Sequence, residues 1–398
     1  MLPDEMERRR EIESRMRREA RLFGYREIAT PVFEELELFT IRSGEGIIGE
    51  MYAFEDKGGR TLALRPELTA PVLRMYVEEG RSLIKPVKWC YFADCFRYER
   101  PQKGRYREFW QFGAELIGAD SAMADAEVIN LGFNLLKSTG VTFSLKVGHL
   151  SFMRTLLADL SDDERRKIRA FLDKHEEDEA EKYLKSIGRD DLCSPLINLC
   201  HARTLEDVFA IIGDITEKVR IEETFHILDL HQIPYEINPA IARGLDYYTG
   251  IVFECFAEGL GAENQILGGG AYRLAHLFGG EDTPSVGFAI GFDRVMVALG
   301  SDFILKQLPR IMIVCTDDGR SRGLQVADEL RNLGIIAESD LTGRSFSAQM
   351  KAAGKNSDYA IIIGREETES GLVTLKDLKA GTQTSLCVKD VVKHLNQQ

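Results

Sequence analysis

The sequence predicts an α+β body, interrupted by a helical insertion and followed by a small C-terminal α/β domain. Three observations carry this. Short strand-like segments cluster at 51–118 and return at 243–291. Between them, from about 150 to 222, charged helical patterning takes over. After Pro309, apolar strand-like runs alternate with a helical pattern, the signature of a largely parallel sheet. At 398 residues the chain is also longer than one core usually accommodates.

The elements follow in order. Residues 4–23 read as a helix, because Ile12, Met16, Ala20 and Phe23 recur at helical spacing and the other face is charged. Gly24 stops it. Tyr25–Val32 is extended, with Pro31 marking an edge strand or bulge. Strands are expected at Met51–Phe54, Thr61–Leu64, Trp89–Phe96 and Phe109–Ile117. The last two are joined by Glu99–Arg105, where Pro101 and Gly104 favour a hairpin connection. Pro66–Tyr76 and Asp120–Leu136 pattern as helices, and Asp162–Phe171 and Glu176–Ser186 as charged helices of the insertion. Strand texture at 243–256, 264–271 and 285–291, with a helix from Asp293, completes the body. Residues 300–309 read as a linker. Beyond it, Ile311–Cys315, Ile335–Glu338, Tyr359–Gly364 and Ser385–Val388 read as short buried strands. Arg322–Leu333 reads as a helix with Leu324, Ala327, Leu330 and Leu333 on one face.

Composition excludes several classes. A net charge of −13 argues against nonspecific coating of nucleic acid. Residues 308–398 hold 12 basic and 12 acidic residues, so the acidic excess lies in 1–307. There is no apolar run long enough for a membrane span, and Met1–Arg21 is too charged for a secretory signal. The seven cysteines lack Cys-x-x-Cys spacing, which predicts reduced thiols rather than zinc or disulfides. Neither a Gly-x-Gly-x-x-Gly after a strand nor a P-loop is present, so a nucleotide would need another cradle.

Five segments carry candidate chemistry. The hairpin Phe96–Phe109 brings Arg97, Arg100, Arg105, Arg107 and Lys103 together; guanidinium forks suit phosphate oxygens, though a solvated basic turn reads equally well. Gln111 and Glu115 share one face of the following strand while Phe112, Ala114 and Leu116 take the other, which suggests a lined cleft. Arg243 followed by Tyr247 and Tyr248 is unusual for pure core, although the tyrosines could simply pack. Gly268–Gly270 permits close approach of backbone or ligand, or marks a tight turn. Val286–Arg294 alternates small and large residues before a helix that Arg294 opens, leaving room for a flat ring beside a cation. Glu67 and Thr69 stand where a helix begins, so Glu67 either complements the helix dipole or binds a substrate ammonium.

Together these segments resemble a class II aminoacyl-tRNA synthetase, and within that class the histidyl-tRNA synthetases. Arg21–Val32, Phe96–Glu115 and Val286–Arg294 are similar to the three motifs of the class. Arg100–Arg107 and Arg243–Tyr248 are similar to segments characteristic of the histidine family. The resemblance implies a catalytic domain with an antiparallel class II synthetase sheet, split between 1–152 and 223–302. It implies a helical insertion at 153–222 and a C-terminal α/β anticodon-binding domain at 308–398. It further implies ATP-dependent activation of L-histidine to histidyl-adenylate, then transfer to the 3′ end of tRNA(His), by a cytoplasmic homodimer without membrane association. Arg97 and Arg243 would be the catalytic cations at the α-phosphate, where positioned charge is the main lever. Arg105 and Arg294 would hold the distal phosphates of ATP, with Mg²⁺ assisting and no side chain assigned as its ligand. Glu67, Leu68, Thr69 and Gln111 would hold histidine with Arg97 and Arg243, while Glu115, Tyr247 and Tyr248 face its imidazole. Arg100 and Gln102 would meet the tRNA acceptor end.

One departure from the family stands out. Its usual Gly-Gly-Gly-Arg-Tyr-Asp reads here Gly268-Gly269-Gly270-Ala271-Tyr272-Arg273. The lost Arg and Asp predict that Arg273 makes a compensating contact. Two alternatives compete with this reading. One is a catalytically inactive paralogue serving as a histidine-binding regulatory subunit, which typically lacks the C-terminal domain and the catalytic arginine. The other is a synthetase for glycine, proline or threonine, against which Glu115 and Arg243–Tyr248 speak.

Overall fold

Helix α1 (Pro3–Leu22) starts on a proline in its first turn, carries Asp4 and Glu5 there, and ends with Arg21, all favourable to its dipole. Ile12, Met16 and Ala20 are fully buried. Gly24, at φ +80°, turns the chain out of the helix. The structure is a computed structural model describing all residues except 44, 100–103, 175, 242–247, 261–263, 301–302, 304–308 and 397–398.

The chain divides into two compact units, Met1–Phe303 and Ile304–Gln398. In the first, eight strands among the described residues build one sheet: β1 (Arg26–Glu27), β2 (Val87–Phe96), β3 (Glu108–Ile117), β4 (Ser144–His149), β5 (Glu236–Ile237), β6 (Tyr248–Phe256), β7 (Gln265–Tyr272) and β8 (Ser285–Gly291). Their order is β1-β2-β3-β8-β7-β6-β4-β5. The six long strands pair antiparallel, and only the short β1 and β5 join in parallel, at the two edges. A separate three-stranded antiparallel sheet is formed by Phe33–Glu35, Ala53–Glu55 and Thr61–Leu64.

The large sheet has two different faces. Phe112, Ala114, Leu116, Phe288 and Ile290 point into the main core, against Ile12 and Met16 of α1, the buried residues of α3 (Ala122–Thr139), and Phe292 and Val295 of α5 (Phe292–Leu299). The other face carries a smaller cluster, in which Tyr91, Tyr248, Val252 and Tyr272 meet Leu68, Val72 and Leu73 around α2 (Thr69–Met75). Between β4 and α4 (Lys218–Leu230) run the helices Asp162–Asp173, Glu177–Ser186, Cys193–His201 and Leu205–Ile212. Ser161 and Thr204 open two of them with capping boxes. Ile168, Leu184 and Leu196 extend the main core into this region. No described helix is long and apolar enough to cross a membrane.

The second unit holds a five-stranded sheet with its own core, Ile311, Ile313, Val326, Leu330, Ile361 and Val373 among its members. Here several expectations need correction, among them the buried strand at Ser385–Val388: the strand is Gln383–Leu386, exposed over its first three residues, and Val388 opens a helix. The sheet is not largely parallel: Arg310–Cys315 pairs in parallel with Ile336–Ser339 and Tyr359–Ile363, but Val373–Asp377 and Gln383–Leu386 add antiparallel. The strand Val373–Asp377 was not anticipated, although Val373 and Leu375 are buried in alternation with Thr374 and Lys376. In the helix Arg320–Asn332 the inward face is Gly323, Val326, Ala327 and Leu330, while Leu324 and Leu333 are exposed. In the first unit, β4 and β5 are likewise additions. The helix expected at Pro66–Tyr76 begins only at Thr69, its entry set by Glu67, and continues as a wider turn over Tyr76–Gly80.

Candidate active site

The second face of the large sheet is paved with small residues. Gln111, Gly113 and Glu115 of β3 stand opposite Gly291, Ala289 and Gly287 of β8, and Gly268 and Gly270 of β7 continue the row. Polar side chains rise from this floor where a neighbouring strand lacks a Cβ. A Cβ on Gly287 would lie 1.7 Å from Glu115 Oε2, one on Gly113 would lie 2.3 Å from the Tyr91 ring, and one on Gly270 would lie 2.8 Å from Tyr248. The space at Gly287, read from sequence as room for a flat ring, is thus taken by the Glu115 carboxylate. The tight packing of Gly270 likewise serves a tyrosine of the protein itself.

Glu115 is 1% exposed. Its Oε1 accepts from Thr69 Oγ1 at 3.1 Å and from the Tyr91 hydroxyl at 3.1 Å, and Oε2 accepts from the Tyr272 hydroxyl. Burial pushes its carboxyl up to about 7, against three hydrogen bonds that favour the ionised form. The alternation at 112–116 pointed to Glu115. Tyr91 and the role of Tyr272 were not anticipated. Tyr248 is buried on the same face, opposite Tyr272 in the β6–β7 register.

Beside this carboxylate, Glu67 sits at the start of α2 and accepts the backbone N–H of Thr69 at 2.7 Å and of Ala70 at 3.1 Å. This matches the dipole-complementing role weighed for it. The turn that presents it is fixed by two arginines. Buried Arg65 donates to Asp94 O at 2.7 Å and Thr30 O at 2.8 Å and pairs with Asp94. Arg97 donates from Nε to Pro66 O at 2.9 Å. Leu68 directs its side chain into the apolar cluster rather than over the floor. Gln111 Oε1 accepts from the Cys95 thiol at 3.5 Å, a thiol that burial pushes up to about 12.

Cations gather at the other end. Arg97 lies 5.1 Å from the Phe109 ring centroid, and burial opposes its charge while nearby Arg105 adds to the opposition. Glu99 pairs with Arg105 and stands 3.9 Å from Arg97. Arg294 donates to Gln265 O at 2.8 Å. A Cβ on Gly104 would lie 3.5 Å from Arg294 Cγ, so the hairpin beside Arg105 reaches Arg294. Arg107, by contrast, is exposed and lies 4.5 Å from the Tyr98 ring centroid. From Gln111 to Glu115 the strand rises about 14 Å, and Arg97, packed on Phe109 of the same strand, lies beyond Gln111 from the buried carboxylate. Arg100, Gln102, Arg243 and Tyr247 lie outside the described residues.

At the far side, Arg273 is not in free solvent. It pairs with Asp282 at 2.9 Å and with Asp120. Sequence reasoning also missed a buried ion pair under the site: Arg9 Nη1 meets Asp293 Oδ1 at 2.7 Å, and Asp293 accepts the Trp110 N–H at 2.6 Å.

An antiparallel sheet backed by helices, with guanidinium groups and a polar pocket across its open face, is the core of a class II aminoacyl-tRNA synthetase. The profile of the family described as histidyl-tRNA synthetase matches residues 1–295, and that of an anticodon binding domain matches 311–398. A histidine–tRNA ligase of Methanospirillum hungatei is 76% identical over 99% of this chain and 97% of its own. One from Archaeoglobus fulgidus is 50% identical over 98% and 96%. Among solved structures, apo histidyl-tRNA synthetase of S. aureus is 27% identical, covers 99% of this chain and 96% of its own, and superposes with a TM-score of 0.72. That of Nostoc sp. PCC 7120, at 22% identity over 100% and 97%, shares the fold with a TM-score of 0.85. The chain belongs to the histidyl-tRNA synthetase family.

Proposed function

We propose that this chain activates L-histidine with ATP to histidyl-adenylate and transfers the histidyl group to the 3′ end of tRNA(His). The observation that carries the reading is the Glu115 pocket. Three hydroxyl donors hold a buried carboxylate at the end of a glycine floor, leaving acceptor capacity for an imidazole N–H. A site built on such a hydrogen bond rejects apolar side chains of similar size, because its carboxylate would be left unpaired. Tyr248, with Tyr247, would complete the imidazole contacts. Glu67, Thr69 and Gln111 would take the ammonium group, with the backbone at Leu68 lining the turn.

The same floor leads from the carboxylate to the guanidinium groups. In the proposed reaction the histidine carboxylate attacks the ATP α-phosphorus and pyrophosphate leaves. Arg97 and Arg243 would stabilise the charge that develops on the α-phosphate. Arg105 and Arg294 would hold the distal phosphates, which requires Arg105 to exchange its contact with Glu99 for phosphate oxygens. Mg²⁺ would enter with ATP. Beside nucleotides Mg²⁺ is held by substrate phosphates, waters and one or two carboxylates, and no side chain is assigned to it here. Arg100 and Gln102 would meet the acceptor end of the tRNA, and residues 308–398 its anticodon. Residues 1–152 and 223–302 would be one catalytic domain and 153–222 its insertion.

We further propose a cytoplasmic homodimer. Val32, Phe33, Ile41 and Phe54 are exposed around the three-stranded sheet, with the Phe33 and Phe54 rings in edge contact at 6.5 Å. A second copy is the occupant the proposal names for this surface.

The test is exchange of labelled pyrophosphate into ATP with each amino acid in turn. Exchange with histidine alone, abolished in Arg243→Ala, is the expected result. Folded protein that exchanges with no amino acid, or with a different one, would overturn the reading.

A further inference from the structure

Glu115 on β3 and Tyr272 on β7 are not on adjacent strands. β8 runs between them, and their hydrogen bond passes over Gly287. A second link crosses β8 just outside the first. Arg273, the residue after Tyr272, reaches Asp120, just beyond the end of β3. Arg273 also takes Asp282, in the segment that leads into β8, through its other guanidinium nitrogen at 2.9 Å. Asp120 in turn meets Arg220 at the start of α4, and Arg220 lies 2.8 Å from Asp125, which is 3% exposed. Asp282, Arg273, Asp120, Arg220 and Asp125 thus form one ladder of alternating charge, anchored at its buried end. An aspartate at 273 would set its carboxylate against Asp120 and Asp282, so the arginine suits these neighbours.

We infer that Arg273 is a positioning residue for the histidine pocket: it holds the ends of β3 and β7 at the separation over which the Tyr272 hydroxyl reaches Glu115. The inference rests on the proposed histidine-activating function. Arg273 and Asp120 are 34% and 42% exposed, and ion pairs so exposed add little to global stability. The ladder therefore acts on geometry, and its loss is to be read in substrate affinity rather than in melting temperature. Of the two substrates histidine alone sits on Glu115, so the effect is confined to histidine.

The experiment is histidine-dependent pyrophosphate exchange by the full-length protein. Arg273→Ala is expected to raise the KM for histidine roughly tenfold, the size typical of a lost neighbouring contact, with the KM for ATP unchanged. Arg273→Lys should recover most of the loss. Because Arg273 acts through Tyr272, Arg273→Ala placed in a Tyr272→Phe background should add no more than about a factor of two. Equal changes in both KM values, no change in either, or full additivity with Tyr272→Phe would each overturn the inference. Wild-type protein that shows no exchange with histidine removes the proposed function and this inference with it. Normal wild-type exchange beside an unaffected Arg273→Ala removes the inference alone.

Discussion

At the scale of single residues the site is defined as much by missing Cβ atoms as by functional groups. Glu115 can lie flat across β8 only because residue 287 is glycine. A methyl group there would meet Glu115 Oε2 at 1.7 Å and the Ala114 carbonyl at 2.7 Å. The carbonyl belongs to the sheet and cannot yield, so the carboxylate must leave its three donors. Gly287→Ala is therefore expected to cost about 1–3 kcal/mol in stability, the usual price of overpacking, but to lower histidine-dependent exchange by about a hundredfold or more through misplacement. Thermal melts and exchange rates on the same sample separate the two effects. Near-normal exchange would show that Glu115 is not needed where it sits. How much of this was readable in advance differs by residue. Glu115 was legible because Phe112, Ala114 and Leu116 alternate with it. Its partners Tyr91 and Tyr272 lie 24 and 157 positions away, and only the strand register brings them together. No local pattern encodes that register.

At the scale of elements, α1 and α5 are joined beneath the pocket by the Arg9–Asp293 pair. Both side chains are only 7% exposed, and the Arg9 guanidinium also lies 4.7 Å from the Phe292 ring centroid. Asp293 accepts the N–H of Trp110, the residue before Gln111, so the pair fixes the start of α5 against β3. Removing one partner leaves the other as an uncompensated buried charge. Asp293→Ala is expected to destabilise the chain by about 3–5 kcal/mol, measured by denaturant unfolding, and a loss below about 1 kcal/mol would mean that Arg9 finds solvent instead. Helix α1 was plain from the periodicity of Ile12, Met16 and Ala20, but Arg9 looked like one more residue of its charged face. The helix Arg320–Asn332 shows the opposite failure. A template of every third residue chose Leu324 and Leu333, whereas the buried set 323, 326, 327 and 330 follows the true helical period of i, i+3, i+4 and i+7. The strand Val373–Asp377 had a readable alternation of two and turn residues on both sides, Ser370-Gly371 before it and Gly381 after it, yet Lys376 and Asp377 at its end made it look like part of a charged loop.

At the scale of the whole molecule, each of the two compact units has its own core: Leu131, Phe253 and Phe288 are among the residues of one, and Ile313, Leu330 and Ile361 of the other. Both are above the minimum size at which a domain can sustain its own core. The charge is divided as well, the C-terminal residues 308–398 being balanced while the acidic excess lies before them. An RNA contact would meet less repulsion on the balanced unit, the one that matches an anticodon binding domain. The proposed adenylate chemistry draws only on residues before 303. A chain ended at residue 303 is therefore expected to fold and to exchange pyrophosphate with histidine within roughly twofold of the full chain, as independent units should. Its charging of tRNA(His) should fall by at least about tenfold at physiological salt, because phosphate contacts contributed by the second unit are lost. Parallel exchange and charging assays on the two chains check this. If both activities collapse together while the shortened chain stays folded, the second unit serves the pocket itself and not only the RNA.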